Sequence, residues 1–239
     1  MTGFHVAGGP VIPNFGRGSP CERHNGWFCT DWLHQHWGDT LQPALVQHIE
    51  LTLIAVGAGF AIASLLALVG FRWRLFDVPF GVFSDFLYTI PSLALFQLLV
   101  PLIGIGVPTV EVALASYTLF ILYRNMMAGL NSVPAETLEA ARGMGLTRRQ
   151  TFLRVELPLA APAVIAGLRI ATVSTISIAT VAAFIIPEGL GGPIFTGLQE
   201  NLFRTEILSA GLLAIFLALA ADALLALFQR AVTPWSRLG

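Results

Sequence analysis

NSVPAETLEAARGMGLTRRQTFLRVELPLAAPAVIAGLRIATVSTISIATVAAF, Asn131 to Phe184, changes character at Pro158. Before it the chain is charged and punctuated by glycine and proline. After it, a long run carries a single charge, Arg169, and shows no strand alternation. Backbone groups in lipid have to be satisfied within their own segment, so an apolar run of about twenty residues reads as a membrane-crossing helix. The same reading applied outward finds five such runs: Ile49–Gly70, Pro79–Val100, Thr109–Met127, Pro162–Ile186 and Ile207–Phe228. The expected class is all-α and multi-pass, with about five transmembrane helices.

Composition agrees. Of 239 residues 55% are hydrophobic and 11% charged, and the mean hydropathy of +0.74 is more than a soluble domain tolerates. The net charge of −1 excludes a broad nucleic-acid surface. All 13 basic residues are arginine, so the lysine of a phosphate-binding loop is missing and any ATP is bound by another chain. The first twenty residues lack the basic start and apolar run of a signal peptide. Arginines favour the cytoplasmic side, and an outside N-terminus puts Arg72, Arg74, Arg142, Arg148, Arg149, Arg154, Arg230 and Arg237 there. The C-terminus is then cytoplasmic. Arg124 and Arg169 are expected to snorkel from span ends, and Glu50, Asp85, Glu111 and Asp222 to reach water there.

Three parts follow: an exterior segment, 1–48; a permease domain, 49–230, whose loop 130–159 is too polar to cross; and a tail, 231–239. The first part holds Trp27, Trp32 and Trp37, expected at the headgroup level. Cys21, His24, Cys29, His34 and His36 match no standard zinc spacing, so no metal is expected. An exterior location favours a Cys21–Cys29 disulfide, with no third cysteine to compete.

Within the loop, Pro134 and Glu136 suit a helix start, and Gly143 and Gly145 a stop. Thr147 with Gln150 makes a capping box for a second helix, expected to end before Pro158. Small Ala140 and Ala141 would admit another protein's surface, with Glu139 and Arg142 setting register. A plain solvated loop and a DNA-binding helix-turn-helix are the rivals; the latter lacks basic surface.

Glu139-Ala140-Ala141, three residues, Gly145, nine residues, then Val155-Glu156-Leu157-Pro158 resembles the EAA motif of ABC importer permeases, valine replacing the usual isoleucine. The resemblance implies a type I (MetI-like) permease fold in a prokaryotic plasma membrane. It also implies a coupling helix, Glu139, Ala140, Ala141 and Gly145 with Leu157 and Pro158 closing the motif, seated in a cleft of an ATP-binding subunit. The implied partners are two ATP-binding subunits, a second permease chain and an exterior solute-binding protein; the chain itself is non-catalytic and carries no cofactor. IPSLALFQLLVPLIGIG (Ile90–Gly106), RNMMAGL from Arg124, and the quoted stretch are similar to the glycine betaine, carnitine, choline and proline branch. Relatives continue with IGxGGLG, whereas this chain has Ile185-Ile186-Pro187-Glu188-Gly189-Leu190-Gly191. Pro187 is expected to end the fourth span early and Glu188 to place an anion at an exterior gate.

The fourth span's Ala163, Ala166, Gly167, Ala171, Ser174 and Ser177 suit close helix approach. Ser174, Thr175 and Ser177, with Tyr88, Gln97 and Tyr117, are candidate pathway groups; bonding between helices is the other reading of each. Tyr88 and Tyr117 offer ring faces to a quaternary ammonium. Another cargo on the same architecture, such as an amino acid, a sulfonate or an oxyanion, is one rival. An ion-coupled transporter lacks the expected paired acids and inverted repeats. A membrane-embedded enzyme lacks histidine beyond His48 and cysteine beyond Cys29.

Overall fold

The computed structural model describes Cys21 and residues 24–199 and 202–237, and among these every regular element is a helix. In order they are α1 (Thr30–His36), a π-helical turn (Trp37–Leu41), α2 (Gln42–Arg72), α3 (Arg74–Thr89), α4 (Ser92–Ile103), α5 (Val107–Asn131), α6 (Ala135–Gly143) and α7 (Arg148–Thr151). A second π-helical turn (Phe152–Glu156) leads into α8 (Leu157–Val181), followed by a 3-10 turn (Ala182–Phe184), α9 (Gly191–Gln199), α10 (Arg204–Val232) and a last 3-10 turn (Pro234–Arg237).

Three continuous helical stretches are long and apolar enough to cross a membrane: Thr30–Arg72, Arg148–Phe184 and Arg204–Val232. The expected span Pro79–Val100 is instead two helices, α3 and α4, bent by 102° and together apolar enough for a fourth crossing. Pro91 explains the break, since its ring drives the preceding residue out of the helical region, and Ile90 is extended (φ −69°, ψ 124°). The remaining expected span is α5, 25 residues long. It lies among α2, α3, α4 and α8, and a helix sheathed by protein can carry more polar residues than one facing lipid.

Lipid tails are as apolar as leucine, so these helices associate through close packing and hydrogen bonds. Glycines set the distance. A Cβ on Gly59 of α2 would collide with the Thr118 side chain of α5, and one on Gly167 of α8 with Asn125 of α5. At Gly129 of α5 it would stand 2.9 Å from both the Ala160 carbonyl and the Ala163 Cβ of α8. The Thr118 hydroxyl is shared among the carbonyls of Ala55, Leu114 and Ala115 at 3.2, 3.1 and 2.8 Å.

The charges near the span ends find partners on neighbouring helices. Arg124 grips Asp85 of α3 through both carboxylate oxygens, with Nε to Oδ1 at 2.9 Å. Arg169 of α8 holds Asp222 of α10 in the same forked way, at 2.8 and 2.9 Å, and donates to Gln229 at 3.4 Å. Tyr123, wholly buried, donates to Asp77 at 2.8 Å. Each pairing gives a charged or polar side chain a partner on a neighbouring helix.

Gly59→Val tests the packing. Wedging a branched carbon and its two methyl groups against Thr118 is expected to cost about 1–3 kcal/mol, read as a lower midpoint in denaturing-detergent titration of the purified protein.

Candidate functional site

The polar insertion forms a helical hairpin standing off the bundle. Pro134, extended (φ −61°, ψ 140°), begins it, and α6 follows with Glu136 in its first turn. Its end is a Schellman motif: Gly145 takes φ +78°, the Leu146 N–H donates to Ala141 at 3.2 Å and the Gly145 N–H to Arg142 at 2.9 Å. Only glycine enters that left-handed conformation without strain. Thr147 then starts α7 with the expected capping box, its N–H donating to the Gln150 side chain at 2.8 Å.

Two expectations change. The second helix does not stop before Pro158. The π-helical turn Phe152–Glu156 widens the backbone just ahead of that proline, and the helix runs on through it into α8. The hairpin is therefore continuous with α8 as one stretch, Arg148–Phe184. Ala141, expected on the outer face beside Ala140, is 1% exposed. Glu139, Ala140, Gly143 and Gly145 remain exposed, and Leu157 is exposed with Pro158 half-buried at the base. Met144, 73% exposed beside Gly145, joins this outer face; sequence alone offered no sign of it, since an exposed methionine reads like a core one. Phe152 packs on Phe71, ring centroids 6.0 Å apart, fastening the hairpin's base to the end of α2.

The candidate pathway residues divide. Tyr88 and Tyr117 come together, centroids 6.0 Å apart, and Tyr88 stacks on Phe120 at 4.2 Å. Tyr117 is buried and its hydroxyl donates to the Ile90 carbonyl at the α3–α4 break. Gln97 and Ser177 are exposed and Ser174 half-buried. Thr175 is buried, and its hydroxyl donates to the Ala171 carbonyl of its own helix at 2.8 Å.

At the far end of α8 the helix gives way at Val181 to a 3-10 turn, so Pro187 does not terminate the span; it arrives later, exposed, in a tight turn closed by the Glu188 N–H donating to Ile186 at 2.8 Å. Glu188 is half-buried. The elbow beyond is pinned by residues 142 positions earlier. Gly189 N–H donates to Gln47 at 3.2 Å and Leu190 N–H to Nδ1 of His48 at 3.2 Å. The opposite ring nitrogen, Nε2, meets the Ile176 carbonyl at 3.0 Å; accepting at Nδ1 and donating at Nε2 makes one neutral tautomer serve both. His48 is fully buried, in helix α2, where the sequence reading had put it outside the domain. Gly191 and Gly192 press on the carbonyls of Thr180 and Pro187, with no room for a Cβ.

Cys21 and Cys29 are joined, Cα atoms 5.9 Å apart. Asp31 lies beside them, but sulfurs bonded to each other offer no thiolate to a metal. Trp27 and Trp37 are exposed, whereas Trp32 is not interfacial: it is 4% exposed, packed among Leu41, Phe203 and Ala210. Asn25 accepts from the Arg204 N–H at 3.0 Å, capping α10 across 179 residues.

Known proteins agree with this geometry. Residues 49–237 match the family model described as binding-protein-dependent transport system inner membrane component. The choline transport system permease protein OpuBB of Bacillus subtilis is 37% identical over 204 residues, 85% of this chain and 93% of that protein. The glycine betaine/carnitine/choline transport system permease protein OpuCB of the same organism is 36% identical over 189 residues, 79% and 86% of the two chains. An amino acid ABC transporter crystal structure with histidines shares the fold, with TM-score 0.71 at 18% identity over 85% of this chain and all of that one.

Thr147→Ala removes the acceptor for the Gln150 N–H and is expected to cost the hairpin about 1 kcal/mol. Amide hydrogen exchange should quicken at Arg148–Thr151 and stay slow in α8; uniform exchange would contradict a locally capped hairpin.

Proposed function

This chain belongs to the family of binding-protein-dependent transport system inner membrane components, and on that premise we propose that it imports a small osmoprotectant, glycine betaine, choline, carnitine or proline. A separate ATP-binding subunit, docked on the hairpin, supplies the energy. The names of the relatives support this cargo, and the continuity of the hairpin with α8 is the observation that supports the coupling. Glu139, Ala140, Gly145 and Met144 form the outer, exposed face of a capped unit with no loose joint between it and the span. A displacement at that face is passed to α8. From there it reaches α5 at the Gly167–Asn125 contact, α10 through the Arg169–Asp222 fork, and the elbow at Gly189 through His48. A two-state membrane element biased from both ends needs such a rigid connection.

In the proposed orientation the hairpin and the C-terminus are cytoplasmic and the Cys21–Cys29 loop, the Pro187–Glu188 turn and α9 are exterior. Arginine placement supports this. Two ATP-binding subunits, a second permease chain, identical or paralogous, and an exterior solute-binding protein complete the assembly. ATP hydrolysis resides on the partner, since this chain has no lysine for a phosphate loop.

The test is ATPase activity in liposomes holding this chain with its ATP-binding subunit and binding protein, with each solute in turn. Solute stimulation is expected, falling about tenfold in Glu139→Ala through loss of a charged contact at the docking face. An ATP-binding subunit that associates equally well with a chain lacking the hairpin would sink the coupling role. Stimulation by none of the four solutes, with association intact, would remove the cargo assignment alone.

A further inference from the structure

One face shared by α3 and α5 combines three features that hydrocarbon would penalise. Arg124 and Asp85 are paired, yet their side chains remain 45% and 46% exposed; an ionised pair so open is tolerated at membrane depth where water or protein faces it. The helical backbone is interrupted at Ile90 and Pro91, and unwound backbone in a membrane is confined to places buried in protein or lining a water-filled cavity. Beside the break stands Tyr88, 47% exposed, its ring stacked on Phe120 with centroids 4.2 Å apart and near-perpendicular to that of Tyr117 at 6.0 Å. Helical spacing makes these one group. Tyr88 is one turn from Asp85 on α3, and Phe120 one turn from Arg124 on α5.

Resting on the osmoprotectant reading, we infer that the Arg124–Asp85 pair and the Tyr88–Phe120 stack form a solute site inside the membrane for a zwitterion bearing a quaternary ammonium and a carboxylate. The guanidinium of Arg124 takes the carboxylate as a forked pair. The ammonium, which has no N–H to donate, lies on the exposed Tyr88 ring, with Asp85 one turn away to balance its charge. Without solute the two side chains neutralise each other, so the empty site exposes no net charge. With solute each finds a counter-charge on the same small molecule. A simple cation such as choline engages Tyr88 alone and gains nothing from Arg124, whereas a zwitterion engages both, which is the source of the difference between them. The break at Ile90 belongs to the site as well, because discontinuous helices recur where transporters hold solute.

The test uses the complete transporter in proteoliposomes, with uptake of labelled glycine betaine and choline measured side by side. In the double variant Asp85→Asn with Arg124→Gln, which keeps a neutral hydrogen-bonding pair, glycine betaine uptake efficiency is expected to fall about tenfold and choline, which has no carboxylate, much less. Tyr88→Ala should raise the half-saturating concentration for both solutes, and Tyr88→Phe should restore it. Tyr88→Cys, in a chain whose only two cysteines are paired, should be labelled by a water-soluble thiol reagent. Equal losses for both solutes in the double variant, as expected of a pair that merely fastens α3 to α5, would overturn the site. So would a Tyr88→Cys that resists labelling, since the face would then lie against lipid or the second permease chain. Uptake of neither solute by the unaltered complex is a different result: the osmoprotectant reading fails there, and the ligand of this site with it.

Discussion

The contact of α5 with α2 and α8 at backbone distance is the constraint on which the rest of the molecule rests. Helices in lipid gain nothing by hiding apolar side chains from one another. What holds them is how closely they can pack, and Gly59, Gly129 and Gly167 set that closeness, each opposed by an atom where a Cβ would stand. Once α5 is seated, its polar residues are determined in their partners: Thr118 meets the Ala55 carbonyl, Tyr123 meets Asp77, and Arg124 meets Asp85. These residues lower the apolarity of α5, and each is tolerated because it has a polar partner on a neighbouring helix.

The second feature is the stiffness of the connection between the hairpin and the bundle. A loop joined to a span by flexible residues would absorb displacement in its own dihedral angles. Here the Schellman turn and the capping box join the hairpin's two helices, and the π-helical turn carries the second without a break from Arg148 to Phe184. The same span is held laterally by the Arg169–Asp222 fork and at its far end by His48 against Ile176. His48 and Gly189 show how small the tolerance is, since a Cβ on Gly189 would stand 2.9 Å from the imidazole. α8 and the elbow are thereby joined through one buried ring.

Much of this was legible from residues near one another in the chain. The hairpin's caps act over two to five positions, so Pro134, Gly145, Thr147 and Gln150 announce them in order. The apolar runs mark the spans for the same reason, because a helix satisfies its own backbone and needs no partner to be recognised. The interruption at Pro91 also had a local signal, the restriction a proline places on the residue before it. It was masked by the apolarity on both sides, which reads alike for one straight span and for two helices bent at 102°.

What the sequence by itself determined is the all-helical class and the capped hairpin with its EAA spacing, both of which are fixed by interactions within a few residues. Tertiary structure alone decided which charges pair and which faces open. Arg124 and Asp85 are 39 residues apart, Arg169 and Asp222 53, His48 and Leu190 142, Asn25 and Arg204 179. A side chain near a span can reach water, a neighbouring helix or a chain end, and its composition is the same in each case. The choice follows from which helices lie adjacent and in what register, and small residues such as Gly167 fix that only when two surfaces meet.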